Sequence, residues 1–241
     1  MYEEVKYLIA GDRAIVIEFG EEIEEQVNSK IRSLTVAIDQ EGVIGINETI
    51  PTYRSLMVIY DPMIMELDEL IGVIKSIITR MHELKLPEAK VIEIPTLYGG
   101  EYGPDIEYVA DHNKISIDEV IKIHTEMEYL IYMIGFTPGF PYLGGMSDKI
   151  EAPRLQNPRT KIPVGSVGIA GKQTGIYPVE SPGGWQLIGR TPVKLYDPYR
   201  KDPVLLNAGD YIKFVQIDKS EFKNIEALEL EGKYKVTVRK I

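Results

Sequence analysis

The chain has 241 residues, a formal charge of −10, 44% hydrophobic residues and no cysteine. That length allows one large domain or two small ones. The acidic balance disfavours a general nucleic-acid binder, and the missing cysteines exclude disulfides, thiol nucleophiles and thiolate metal sites. No apolar run approaches the roughly 18–20 residues of a membrane span. The start, MYEEVKYLIAGDRAIVIEFG, is acidic where a signal peptide needs a basic region, so a cytoplasmic location is expected.

VKYLIAGDRAIVIEFG reads as two strands about the turn Gly11-Asp12. Ile23, Val27, Ile31, Leu34 and Ile38 then recur on one face of a helix. GVIGINETI and SLMVIYDP read as strands joined through Pro51. Leu67, Leu70, Ile71, Ile74, Ile78 and Met81 mark a second helix, closed by Pro87. Strand, helix, strand, strand, helix, strand is the ferredoxin-like order, which we assign to residues 1–88.

Residues 89–241 begin with the strand VIEIPTLY. Ser116 and Glu119 have capping-box spacing and predict a helix start before VIKIH. EYLIYMIG reads as a strand. Between Gly135 and Pro192 stand 11 glycines and 8 prolines in 58 residues, well above the average share of about 12%. They are interleaved with Ile, Val, Phe, Tyr and Trp, which predicts a small β-barrel with long packed loops. VKLYDP, YIKFVQI and KYKVTVRK add strands, and KSEFKNIEAL adds a late helix.

The stretch GSVGIAGKQT, residues 165–174, invites comparison with a phosphate-binding loop. A P-loop needs glycine five residues before its Gly-Lys pair and Ser or Thr after the lysine. Ser166 and Gln173 stand in those places, so both tests fail. The charge pattern is more informative. Between Glu151 and Glu180 there is no acid, while Arg154, Arg159, Lys161 and Lys172 lie inside that window. Glycines admit close backbone approach and arginine binds carboxylate or phosphate in two-pronged fashion. The window reads either as a site for a small anion or acyl phosphate, or as turns with solvated cations.

His82, His112 and His124 lack metal-ligand spacing, so no metal is expected. His82 falls near a helix end, where it would favour the dipole. His124 leads toward the loop GFTPGFPYLGG and is either a general base or a satisfied structural histidine. Trp185, the only tryptophan, is a pocket wall or barrel core. Glu180 is the acid nearest these loops and a candidate catalytic carboxylate.

GFTPGFPYLGG at 135–145 and PRTKIPVGSVGIAGKQTGIYPVESPGGWQLIGRTP at 158–192 closely resemble the signature of one family. Its members are called the B-type component of bacterial 5-oxoprolinase, allophanate hydrolase subunit 1 or Kip-type sporulation-kinase inhibitor. GDRAIVIEFG at 11–20, Asn28, IPTYRSLMVIYDP at 50–62, YGGEYGPDIEYVA at 98–110 and IHTEMEYLIYMIGF at 123–136 extend the likeness over essentially the whole chain.

The resemblance implies a ferredoxin-like domain over 1–88 and a cyclophilin-like β-barrel over 89–241. It implies one component of an ATP-dependent enzyme that opens 5-oxo-L-proline to L-glutamate, inactive alone. Its partners would be a paralogous C-type component, related to allophanate hydrolase subunit 2, and an A-type component of the lactam-utilisation kind. The alternatives it carries are an inhibitor of a sensor histidine kinase and a carboxyltransferase-like part of an allophanate- or urea-metabolising complex. A prolyl isomerase would rest on the barrel fold alone, and fold does not carry function. On the resembling block we place Phe136, Pro138, Gly139, Tyr142, Arg159, Gln173, Thr174, Tyr177, Ser181, Gly183, Gly184, Trp185 and Arg190 around the site or its interface with a partner. His124 and Glu180 are assigned to proton transfer there, and Lys172 is left out of the catalytic set.

Overall fold

A computed structural model describes residues 1–81 and 86–241. The chain divides into two compact units, Met1–Glu88 and Ala89–Ile241.

The first unit runs β1 (Lys6–Ile9), β2 (Ala14–Glu18), α1 (Glu25–Glu41), β3 (Ile46–Pro51), β4 (Ser55–Tyr60) and α2 (Leu67–Arg80). Its four strands form an antiparallel sheet in the order β1-β2-β4-β3. Alternation in β2 and β4 turns Ile15, Ile17, Leu56, Val58 and Tyr60 to one face. There they pack with Val27, Ile31, Leu34 and Ile38 of α1 and Leu70, Ile74 and Ile77 of α2. Ile23 differs from expectation: it precedes the helix and is exposed. The ferredoxin-like order is also filled differently. The fourth strand is the N-terminal β1 rather than a strand after α2, because VIEIPTLY joins the other unit's sheet. Asn28 is buried on α1, and its amide donates to the carbonyls of Thr52 and Tyr53, tying the helix to the β3–β4 turn. His82 lies outside the described residues.

The second unit runs β5 (Lys90–Tyr98), α3 (Ile106–Asn113), α4 (Ile117–Glu126), β6 (Tyr129–Ile134), β7 (Pro141–Gly144), β8 (Arg159–Ile162), β9 (Ser166–Ala170), β10 (Gln173–Ile176), β11 (Ser181–Gly183), β12 (Gln186–Arg190), β13 (Tyr211–Gln216), α5 (Lys219–Leu230) and β14 (Val238–Lys240). Its main sheet has the order β10-β9-β12-β5-β13-β6-β7, with β14 also paired to β5. The end strands β7 and β10 approach each other, so the barrel nearly closes. Its core gathers Ile94, Tyr129, Ile131, Val167, Ile169, Ile188, Ile212 and Phe214, with α3 and α4 packed against it. A short ribbon of β8 and β11 stands apart from this sheet. The Ser116 side chain caps α4 by accepting from the Glu119 N–H, as its spacing predicts. VKLYDP forms no strand: its only pairing is an isolated bridge between Tyr196 and Val204. KYKVTVRK pairs only over Val238–Lys240.

GSVGIAGKQT is a β-hairpin. Ala170 pairs with Gln173 across the two-residue turn Gly171-Lys172. Gly171 has φ 57, a conformation a Cβ resists, so the turn itself accounts for the glycine.

Candidate functional site

A second apolar cluster lies beside the barrel: Phe140, Ile162, Ala170, Tyr177, Trp185 and Leu187. Its rings meet edge to face. Phe140 stands 5.8 Å and 88° from Trp185, and 5.7 Å and 82° from Tyr177. Tyr177 and Trp185 are 6.2 Å apart at 78°. Such pairs add about 0.5–1.5 kcal/mol each beyond their buried area, so these rings form a stiff wall.

The wall backs a pocket of about 230 Å³ lined by Phe136, Phe140, Tyr142, Arg154, Gln173, Tyr177, Pro182, Gly183, Gly184 and Trp185. It is smaller than the ~300–1,000 Å³ typical of drug-sized ligands, which suits a small metabolite. Burial raises the phenols of Tyr142 and Tyr177 above their ordinary value, and the Arg154 charge works against that rise in both. Both are therefore protonated at neutral pH and can donate hydrogen bonds.

Phe136 forms the exposed rim. Thr137 N–H donates to the Gly135 carbonyl at 2.8 Å, closing a three-residue turn about Phe136 at φ 64. That positive-φ γ-turn is the rare, strained kind. The residue is 85% exposed and lines the pocket. Strain and exposure thus coincide at this one residue of the pocket lining.

Of the residues placed from sequence, the structure brings Phe136, Tyr142, Gln173, Tyr177, Gly183, Gly184 and Trp185 together around this pocket. Trp185 is both pocket wall and buried packing. Pro138 and Gly139 belong to the tight loop between β6 and β7, and Ser181 opens β11, without lining the pocket.

The others lie elsewhere. His124 is fully buried at the end of α4. Its Nδ1 lies 2.7 Å from the Tyr98 hydroxyl and its Nε2 lies 2.8 Å from Thr174 Oγ1. Thr174 Oγ1 in turn donates to the Gly168 carbonyl at 3.1 Å, so the Nε2–H tautomer completes the chain. Burial pulls the His124 pKa down to about 3, leaving the ring neutral. Arg159 Nη2 pairs with Asp105 Oδ1 at 2.7 Å, and Asp105 Oδ2 accepts the Leu187 N–H at 2.6 Å. Glu180 pairs with Lys161 at 2.9 Å on the surface, and Lys172 pairs with Asp148 at 2.9 Å. The Arg190 guanidinium stands 5.6 Å over the Tyr102 ring, away from the pocket. His112 stacks on Tyr108.

Sequence reasoning leaves Phe140, Pro182 and Arg154 out of the site. Arg154 is visible in the sequence as one cation of the acid-free window. Which of the four cations reaches the pocket depends on partners distant in sequence. Among the described residues, no group of three His, Asp or Glu side chains could hold a metal ion, and no helix is long and apolar enough to cross a membrane.

The antiparallel unit and most of the barrel unit lie within a stretch that one known family matches. Residues 5–206 match the carboxyltransferase domain family, subdomains C and D, and the chain belongs to it. Within that class it is 48% identical over 230 residues to the B subunit of 5-oxoprolinase from Bacillus subtilis (strain 168), covering 90% of this chain and 96% of that one. It is 40% identical over 211 residues to the B subunit of 5-oxoprolinase from Escherichia coli O157:H7, covering 87% and 94%. The crystal structure of K. lactis urea amidolyase aligns with a TM-score of 0.79 at 23% identity. That alignment covers 98% of this chain and 16% of the amidolyase, and the likeness is one of fold.

Proposed function

We propose that this chain is the B-type component of an ATP-dependent 5-oxoprolinase that opens 5-oxo-L-proline to L-glutamate. Near-complete coverage at 48% identity to a protein of that name carries the proposal. The pocket supports it in chemical terms. A lactam ring is small and apolar along its methylenes, and edge-to-face aromatics hold such a ring. Protonated Tyr142 and Tyr177, with the Gln173 side chain, offer groups for the polar amide edge.

The pocket lining contains no His, Asp or Glu. It binds and orients, and beyond the Tyr142 and Tyr177 hydroxyls we assign proton transfer to a group from another chain. We therefore assign the catalytic centre to an interface with partners of the C and A types, with this chain inactive alone. The Gly171-Lys172 turn joins two strands rather than a strand and a helix, which does not fit a triphosphate cradle. ATP is assigned to a partner, and no step is derived through it on this chain. Phe136, exposed and strained at the rim, is the residue of this site that meets the partner or closes over the substrate.

The test is reconstitution with the A-type and C-type partners and measurement of glutamate released from 5-oxoproline. Release that requires ATP and all three chains is the expected outcome. An assembled trio that releases none overturns the proposal.

A further inference from the structure

The acid-free window holds four cations, and the structure separates one from the rest. Arg159, Lys161 and Lys172 are each neutralised by an acid from outside the window: Asp105 at 2.7 Å, Glu180 at 2.9 Å and Asp148 at 2.9 Å. Among the described residues, Arg154 alone of the four has no ion pair. It is also the only charged side chain in the pocket lining.

Its backbone is held in place although its side chain is free. Ala152 and Gly171 exchange backbone hydrogen bonds, one of them at 2.7 Å. The Gln186 amide donates to the Pro153 carbonyl at 2.9 Å. Leu155 N–H donates to the Gly184 carbonyl at 2.7 Å, and Gly184 itself lines the pocket. Three attachments in four residues fix this extended segment along the pocket rim.

We infer that Arg154 is the carboxylate-recognising residue of this pocket, and that the pocket selects a small cyclic amide bearing a single carboxylate. This rests on the 5-oxoprolinase reading and names the group that sets its substrate preference. A guanidinium presents two parallel N–H donors to a carboxylate, a match no other lining group offers. A ligand seated against Phe140, Tyr177 and Trp185 excludes water from one side of that pair. The lower local dielectric strengthens it relative to an exposed ion pair. Nothing acidic lines the pocket to compete for the charge.

Trp185 lines the same pocket and is the only tryptophan of the chain, so its fluorescence reports occupancy directly. The full chain is titrated with 5-oxoproline and with its uncharged carboxamide, as wild type and as Arg154→Gln. Arg154 is exposed, so the substitution leaves the packing intact. The expected result is at least tenfold tighter binding of the carboxylate by the wild type and loss of that preference in the variant. Equal binding of the two probes, no response to either, or an unchanged preference in Arg154→Gln overturns the inference. A reconstituted complex without turnover would count against the 5-oxoprolinase reading alone, since the carboxylate preference is measured without turnover. Normal turnover with an unchanged preference in Arg154→Gln would remove Arg154 alone.

Discussion

His124 Nε2 lies 2.8 Å from Thr174 Oγ1, inside the barrel unit and away from the aromatic pocket. With Tyr98 on its other nitrogen, the ring joins α4 to β5 and β10. Both ring nitrogens face buried hydroxyl groups, and the ring is neutral.

A pH dependence follows, and its sign is determined by the depressed pKa. The unfolded chain takes up this proton near pH 6.5, the folded chain only at about 3. Stability is therefore full above about pH 6.5 and falls by about 1.4 kcal/mol per pH unit as pH drops toward 3. Urea unfolding of wild type and His124→Gln between pH 7.5 and 4.5 isolates this contribution. The wild type is expected to lose stability more steeply than the variant, and parallel slopes would contradict the assignment.

The Arg159–Asp105 pair is a second structural link, because Asp105 also accepts the Leu187 N–H. Arg159→Ala leaves that largely buried carboxylate with the Leu187 N–H but no countercharge. It is expected to lower stability by about 2 kcal/mol in denaturant unfolding. No change in the midpoint would show that the pair contributes nothing to folding.

Phe136 carries strain without burial. Phe136→Gly relieves an unfavourable φ and is expected to raise stability by up to about 1 kcal/mol while reducing turnover of the complex. Thermal melting and glutamate release, measured together, check this opposition. A destabilised variant would mean that the ring packs after all.

Adjacent glycines provide a steric control. A Cβ at Gly183 would run into the Tyr177 hydroxyl and come within 2.7 Å of Ile162 Cδ1. A Cβ at Gly184 would meet nothing closer than 3.6 Å. Gly183→Ala is expected to cost about 1–3 kcal/mol, and Gly184→Ala to stay within about 0.5 kcal/mol. Equal effects would place the β11–β12 turn differently from the structure.

Local signals in the chain are reliable where the physics is local. The Ser116 cap, the faces of α1 and α2 and the two strands about Gly11-Asp12 all follow from spacing of a few residues. Pairing at a distance is not legible in that way. Asp105 reaches Arg159 across 54 positions, and this contact removes a cation that composition alone offers to a ligand. His124 is equally fit for catalysis or packing until its burial is known. β1 takes the sheet edge that the element order gives to a later strand, because sheet order is decided by tertiary packing. VKLYDP alternates like a strand, yet its one bridge to Val204 leaves it a loop.

If the Phe140–Tyr177–Trp185 pocket is this chain's share of an oxoprolinase active site, turnover depends on its lining. The most direct measurement is glutamate release by the reconstituted complex carrying Tyr177→Phe or Phe136→Gly, with Lys172→Ala as the control outside the pocket. The expected result is at least a tenfold loss for both pocket variants and wild-type turnover for the Lys172 variant. Wild-type turnover in both pocket variants would contradict the claim.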